Sequence, residues 1–313
     1  MRFSVVISTY NPEPSRLERT LRGLAAQTLD TSEWELIIVD NASDENRKPQ
    51  LGDTVSAINA RIIHEPELGL TSARRCGVKA ATGKLIVLVD DDNVLAPDYL
   101  EIADKISEIH PKLGAWGGKS VAEFERDPEP WKLEFVDLLA IRDLGESPIV
   151  AAASSAETDY PVCAPIGAGM VLRRDALTEW IGRSSLSGST DRKGASLTSG
   201  GDNEIVLSCC ASGWDVAYFP NLSLTHLIPQ GRLDTSYLGR LNRGIQCSWI
   251  QVLDRHGIRP AGWSPIPRWS VPLRQIKAWF TRQVWSGQAA WVRWQGACGH
   301  FEGRALIAEK GHI

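Results

Sequence analysis

Three carboxylates and an amide, Asp90-Asp-Asp-Asn93, close a run of five apolar residues, Leu85-Ile-Val-Leu-Val89. A run that short, preceded by Gly83 and followed by acid, fits a buried parallel strand better than a helix. Open α/β sheets bind ligands at the carboxyl ends of their strands, and carboxylates crowded there repel one another unless a cation joins them. A divalent metal is the simplest such cation. Hard oxygen donors suit Mg2+ or Mn2+, which commonly complete their shells with substrate phosphates. Asp90 and Asp92, spaced i and i+2, face the same way and can share one metal–diphosphate unit. The same acids also suit caps and solvated turn positions ahead of a helix opening near Pro97, so this stretch alone leaves both readings open.

The elements around it are those of an α/β chain. Phe3 to Tyr10 reads as a buried first strand, and Asn11-Pro-Glu-Pro14 turns the chain into a helix whose Leu17, Leu21, Leu24 and Ala25 form one apolar face. Trp34 to Asp40 is a second strand ending in an acid, and Arg61 to His64 a third. Glu65 to Gly83 gives a glycine-containing turn and a helix of small residues, with Arg74 in its first turns. After the acidic strand come a helix over 97–109 and a strand over 114–122. The segment 123–160 has no clean period and stays unassigned. Pro165 to Leu172 is a glycine-rich approach to a strand, Arg173 to Trp180 begins a helix, and the Ser/Gly/Thr-dense stretch 182–201 reads as a mobile loop. A helix from Gly200 to Gly213 carries Asp202 near its start, and a strand pair, 215–219 and 222–226, ends at His226. This alternation predicts a mainly parallel sheet with helices on both faces, extended by a mixed edge.

Charge divides the chain. From Gly231 onward it carries a net +8, before that −12, and seven of its 12 tryptophans lie in the basic part. The acidic body would repel nucleic acid. No stretch of 18 apolar residues and no signal-peptide pattern occurs, so the expectation is a cytoplasmic protein. The six cysteines show no C-x-x-C spacing and are expected to be reduced and mostly buried.

Seven segments, in order, resemble the family 2 glycosyltransferases of the Rossmann-like GT-A fold: Val5-Val-Ile-Ser-Thr-Tyr-Asn-Pro12, Ile37-Ile-Val-Asp-Asn-Ala-Ser43, Gly69-Leu-Thr-Ser-Ala-Arg74, Val89-Asp-Asp-Asp-Asn93, Gly167-Ala-Gly-Met-Val-Leu-Arg173, Gly201-Asp-Asn-Glu204 and Leu224-Thr-His-Leu-Ile-Pro229. The resemblance implies a GT-A catalytic domain over 1–232, with a nucleotide-binding half (1–113) and an acceptor-side half (114–232), followed by a helical extension over 233–313. It implies a metal-dependent, inverting transfer of a sugar from a nucleoside diphosphate donor, with a UDP-sugar as the first guess. The acceptor would be a hydroxyl of a saccharide or lipid-linked molecule, in polysaccharide or glycoconjugate assembly.

Carried over residue by residue, the resemblance puts Thr9, Tyr10, Asn11, Asp40 and Asn41 at the base and ribose and Arg74 at the diphosphate or the acidic cluster. It puts Asp90, Asp91 and Gly169 on the donor. Asp92 would hold Mn2+ or Mg2+ with support from Asp90 and His226. Asp202 is the expected general base, with Glu204 as competitor and a helix N-cap as the structural alternative for Asp202. Two positions depart from the family's pattern: Gly201 stands where a Glu is frequent, and Arg75 where an Asn is. They leave room for an inactive nucleotide-sugar-binding or scaffold protein. A haloacid-dehalogenase-like phosphatase built on the acidic triplet would need a Thr where Val94 stands.

Beyond Leu233 the resemblance fades. Tyr237, Leu241, Ile245, Trp249 and Val252 keep helical spacing, and Arg274 to Trp294 joins tryptophans to Arg and Lys in an amphipathic pattern. Such a stretch suits the surface of a membrane, here the inner face, or packing against the body.

Overall fold

A computed structural model describes residues 1–182, 200–260 and 263–310. The apolar runs that head the chain become the buried strands β1 (Phe3–Thr9), β2 (Trp34–Asp40) and, after β3 (Asn59–His64), β4 (Leu85–Asp90). These four are parallel, in the order β3-β2-β1-β4. Their register pairs Thr9 with Asp40 and Ser8 with Asp90, so the polar strand ends reach one level.

The remaining strands are β5 (Asn93–Leu95), β6 (Leu113–Phe124), β7 (Ile149–Ala151), β8 (Met170–Arg173) and β9 (Asp215–Ile228). They continue the same sheet as β8-β6-β9-β5, with β7 also on β9. β8 runs antiparallel to β4 and β6, β6 and β9 are parallel, and β5 and β7 are antiparallel to β9. The sheet is therefore parallel in its first half and mixed beyond.

Side chains alternate across the sheet, and each face has its own core. On one, Val5 and Ile7 meet Leu17 and Leu21 of α1 (Pro14–Ala25) and Leu100 of α3 (Tyr99–Ile109). On the other, Val6 and Ile37 meet Val78 of α2 (Leu70–Ala80), Ile205 of α5 (Gly201–Ala211) and Val252 of α6 (Thr235–Arg255). At the opposite end of the strands from the carboxyl termini, the buried Glu35 accepts from Ser4 Oγ (2.6 Å) and Thr82 N (2.7 Å) and pairs with Arg61.

The structure revises or fills in four local readings. The expected pair 215–219 and 222–226 is one strand, β9; its pairing with β6 slips between Gly118 and Lys119, so the Pro220-Asn221 stretch is absorbed as a bulge rather than a turn. The segment 123–160 contains a 3-10 stretch (Pro130–Leu139) and β7. After β8 a 3-10 turn leads into the short α4 (Thr178–Gly182), not a helix from Arg173. The amphipathic stretch 274–294 is broken between α7 (Val271–Thr281) and α8 (Gln288–Lys310), where Gln283 and Gly287 take positive φ (49° and 153°). The loop expected at 182–201 falls largely on 183–199, outside the described residues.

α6 packs along α8, and a third core joins Leu238, Leu241 and Val292 to Phe135, Leu139 and Ile228 of the α/β body. The six cysteines are free, four of them buried. No described helix is long and apolar enough to cross a membrane.

Candidate functional site

The acidic run meets β9 because β5 pairs with it antiparallel. Asn93 lies opposite His226, and Leu227 N donates to Asp92 O at 2.9 Å. Asp92 and His226 are both nearly buried, with His226 Nε2 3.3 Å from Asp92 Oδ1. β9 then ends in a 3-10 turn (Gln230–Leu233) that returns Arg232 to the same carboxylate, Nη2 to Oδ2 at 2.8 Å. Arg232 Nη1 is 3.4 Å from His226 Nε2. Asn93 locks the turn by accepting from Asp90 N (3.1 Å) and donating to Asp92 Oδ1 (3.2 Å).

The two neighbouring acids are driven apart. For Asp92, burial pushes the pKa up, but the His226 hydrogen bond and the Arg232 charge outweigh it and hold the carboxyl below its ordinary value. For Asp91, burial and then the charge of Asp92 push it well above the ordinary range, while Thr9 Oγ1 donates to its Oδ2. Arg232 is raised, since its carboxylate neighbours, Asp92 first, overcome the burial that opposes its charge.

A second pair of acids is tied by Arg74. This buried guanidinium contacts Asp202 Oδ1 through Nη1 and Asp90 Oδ1 through Nη2 at 3.3 Å. Gly167 N donates to the other Asp202 oxygen at 2.8 Å. A Cβ on Gly167 would overlap both Arg74 and the Asp202 carboxylate, so only glycine permits the arrangement. Asp202 is not the helix cap that its position also allowed. Gly200 is the N-cap of α5, and the Asp202 side chain turns instead to Arg74 and Gly167.

Of the residues singled out from sequence, Thr9, Tyr10, Asn41, Asp90, Asp91, Asp92 and His226 line one cleft, together with Gly69, Arg232 and Tyr237. Asn41 also shapes it: the side chain accepts from Gly69 N (2.8 Å) and donates to the carbonyls of Glu65 and Glu67 (3.1 and 2.7 Å), pinning the β3–α2 loop over the strand ends. Asp40 and Asn11 stand behind the wall. Asp40 accepts from Ser43 N (3.1 Å) with His64 Nδ1 at 3.4 Å, and Asn11 is exchanged with Asp44 and Ser43 at a positive φ of 50°. Gly169, also at positive φ (73°), gives its carbonyl to the buried Tyr99 hydroxyl and its N–H to Leu88 O (2.9 Å). Glu204 is buried elsewhere, with His256 Nε2 at 3.2 Å and Arg255 at 3.7 Å. Arg75, one of the two departures, lies over the Trp180 ring at 5.3 Å and donates to its carbonyl, on the far side of α2 from the cleft.

Arg232 and Gly167 were not singled out from sequence. An arginine six residues past His226 and a glycine opening the Gly167-Ala-Gly169 segment were the available signals.

Asp92 and His226 could serve as two donors to a divalent ion. Octahedral ligands about 2.1 Å from a metal stand about 3 Å apart when adjacent, and the Asp92 to His226 separation of 3.3 Å has that scale. In the metal-free form Nε2 is the ring nitrogen that meets Asp92, so an ion held there would require the ring's proton to sit on Nδ1, which has no hydrogen-bond partner among the described residues. Asp90 is engaged by Arg74, and no group of three His, Cys, Asp or Glu donors converges among the described residues. Two protein donors suffice where substrate phosphate and water supply the rest.

Against this geometry stand the likenesses to known proteins. The profile described as Glycosyl transferase family 2 matches residues 4–180, more than half of the chain. The chain belongs to that family. Among curated relatives, a glucosyl-dolichyl phosphate glucuronosyltransferase of Haloferax volcanii is 30% identical over 149 residues, 46% of this chain and 47% of the relative. The amylovoran biosynthesis glycosyltransferase AmsE of Erwinia amylovora is 31% identical over 125 residues, 39% and 46% of the two chains. The chain thus spans less than half the length of these relatives. Among solved structures, residues 1–349 of S. aureus TarS in complex with UDP-GlcNAc superpose with a TM-score of 0.54 at 14% identity, over 99% of this chain and 92% of that one. The mannosyltransferase PcManGT of Pyrobaculum calidifontis, in complex with GDP-Man and Mn2+, gives 0.53 at 17% identity, over 99% and 79%. At such identities the likeness is one of fold, an α/β GT-A-like sheet with a helical C-terminal region.

Proposed function

We propose that this family 2 chain is a metal-dependent, inverting glycosyltransferase that moves a sugar from a nucleoside diphosphate to an acceptor hydroxyl. The observation that carries the reading is the convergence of Asp92, His226 and Arg232 at the floor of a cleft whose far wall holds Thr9, Tyr10 and Asn41. Solved relatives of the fold with UDP-GlcNAc or with GDP-Man and Mn2+ support a nucleotide sugar as donor, and the relatives in dolichyl phosphate and amylovoran chemistry support a lipid-linked or saccharide acceptor.

Each residue has a task in that reading. Thr9, Tyr10 and Asn41 hold the nucleoside, while Asp92 and His226 hold Mn2+ or Mg2+. When bound, the ion neutralises charge building on the departing diphosphate. Arg232 adds a second positive charge at the same place. Asp202, oriented by Arg74 and Gly167, takes the acceptor hydroxyl's proton as that oxygen attacks the anomeric carbon from the face opposite the leaving group. Glu204, sequestered by His256 and Arg255, serves stability instead.

The test is thermal shift and donor turnover over a panel of UDP- and GDP-sugars, with and without Mn2+, on the wild type, Asp92→Asn and Asp202→Asn. One donor should stabilise the wild type with metal, Asp92→Asn should abolish that shift, and Asp202→Asn should bind but turn over about 10²–10⁴-fold more slowly. Donor binding indifferent to both metal and Asp92 would remove the diphosphate site from this cleft.

A further inference from the structure

α7 shows its apolar residues to solvent. Val271 and Ala278 face the body, yet Leu273, Ile276 and Phe280 form a second apolar stripe on the opposite side, with Trp269 before the helix and Trp285 after it. All five are more than half exposed. Soluble proteins rarely leave so many large side chains together in water unless something covers them. The aromatic members are organised: Phe280 packs edge-on to Trp285 at 6.0 Å, and Trp279 edge-on to Trp294 at 5.0 Å.

Charge identifies the covering partner. Residues 255–301 contain seven Lys or Arg and no Asp or Glu. Lys277 lies on the open stripe of α7, and Arg274 and Arg282 are exposed at its flanks. Arg282 also opens a groove of about 400 Å³ beside the stripe, lined by Arg293, His300, Asn242 and Gln246 and by no carboxylate. Apolar and indole side chains ringed by cations match a lipid surface whose headgroups are anionic, with the rings at headgroup depth. A second copy meeting it through the same face would bring like charge against like.

The chain connects the patch to the cleft through α6: Trp285 comes three residues before Gln288, whose side chain accepts from Thr235 Oγ1 at 2.9 Å, and Tyr237, two residues after Thr235, lines the cleft.

We propose that α7 and its flanking turns are a docking surface for an anionic lipid bilayer, which presents the cleft to an acceptor held at the membrane. The docking itself is independent of the donor reading and is tested without donor.

Purified protein comprising residues 1–313 is sedimented with vesicles of phosphatidylcholine alone or enriched in phosphatidylglycerol. The wild type should pellet with the anionic vesicles only, and high salt should release it. Leu273→Glu with Phe280→Glu should weaken binding at least about 10-fold, and Lys277→Glu with Arg282→Glu similarly, with unchanged melting temperatures because all four residues are exposed. Failure of the wild type to bind, or binding that survives Leu273→Glu with Phe280→Glu, overturns the proposal. So does concentration-dependent self-association that this double variant abolishes while no vesicles are bound, which would assign the stripe to a second copy.

Discussion

Arg232 Nη2 rests 2.8 Å from Asp92 Oδ2, so the carboxylate at the floor of the cleft already has a cation of the chain's own. A divalent ion held by Oδ1 and His226 would share that carboxylate with Arg232. In Arg232→Gln the nearly buried Asp92 loses its guanidinium and keeps only His226 and Asn93, and the metal-free protein should lose about 2 kcal/mol. Mn2+ should then raise the melting temperature of the variant more than that of the wild type. Urea unfolding without metal and thermal shift with it check both halves; equal responses in the two proteins would deny Arg232 this role.

Gly167→Ala tests the orientation of Asp202. The added methyl overlaps Arg74 and the carboxylate at once, so one or both side-chain ends must shift. Turnover should fall at least about 10-fold while the Mn2+-dependent donor shift persists. Measurement of kcat beside the thermal shift separates a misplaced base from a damaged donor pocket.

Glu204→Gln should behave differently from Asp202→Asn. Removing its charge breaks contacts to His256 and Arg255 beneath α5, away from the cleft. Stability should drop by about 1–3 kcal/mol with donor affinity intact and turnover within a few-fold of wild type. A kcat lost as fully as in Asp202→Asn would transfer the base role to Glu204.

Acid stability should carry a signature of Glu35. Burial pushes its carboxyl up, but hydrogen bonds from Ser4, Thr82 and Arg61 together outweigh that and hold it at about 2. A depressed carboxyl stabilises the fold above its unfolded value, near 4.5, and that contribution fades as pH falls towards 2. That contribution amounts to ~3 kcal/mol at neutral pH. Denaturant midpoints taken from pH 6 down to 3 should therefore fall more steeply for the wild type than for Glu35→Gln; parallel slopes would contradict it.

β1, β2 and β4 were legible because each is short, mostly apolar on both faces and ends in a polar residue, so Phe3, Trp34 and Leu85 announce their strands without help from tertiary context. The acidic run and His226 were legible by type and by order. Arg232 was not, because what makes it part of the site is the pairing of β5 with β9 and the turn that follows, neither of which leaves a periodic trace. Gly167 escaped for a similar reason: glycine spacing marks a close approach without saying what approaches. Pro220 misled, since a proline between apolar runs reads as a turn unless the partner strand is known to slip beside it. In the C-terminal part the apolar period of α7 was visible, but periodicity cannot say which of two apolar stripes the body will cover.

The buried thiols have a practical side. Burial pushes Cys247 and Cys298 up to about 11 and Cys210 to about 12, and raises Cys76, Cys163 and Cys209 as well. At neutral pH little of the native sulfur is thiolate, the form that attacks maleimides. A cysteine introduced at Leu273, on the open side of α7, would out-react all six, and a dye placed there could follow that helix with every native cysteine left in place.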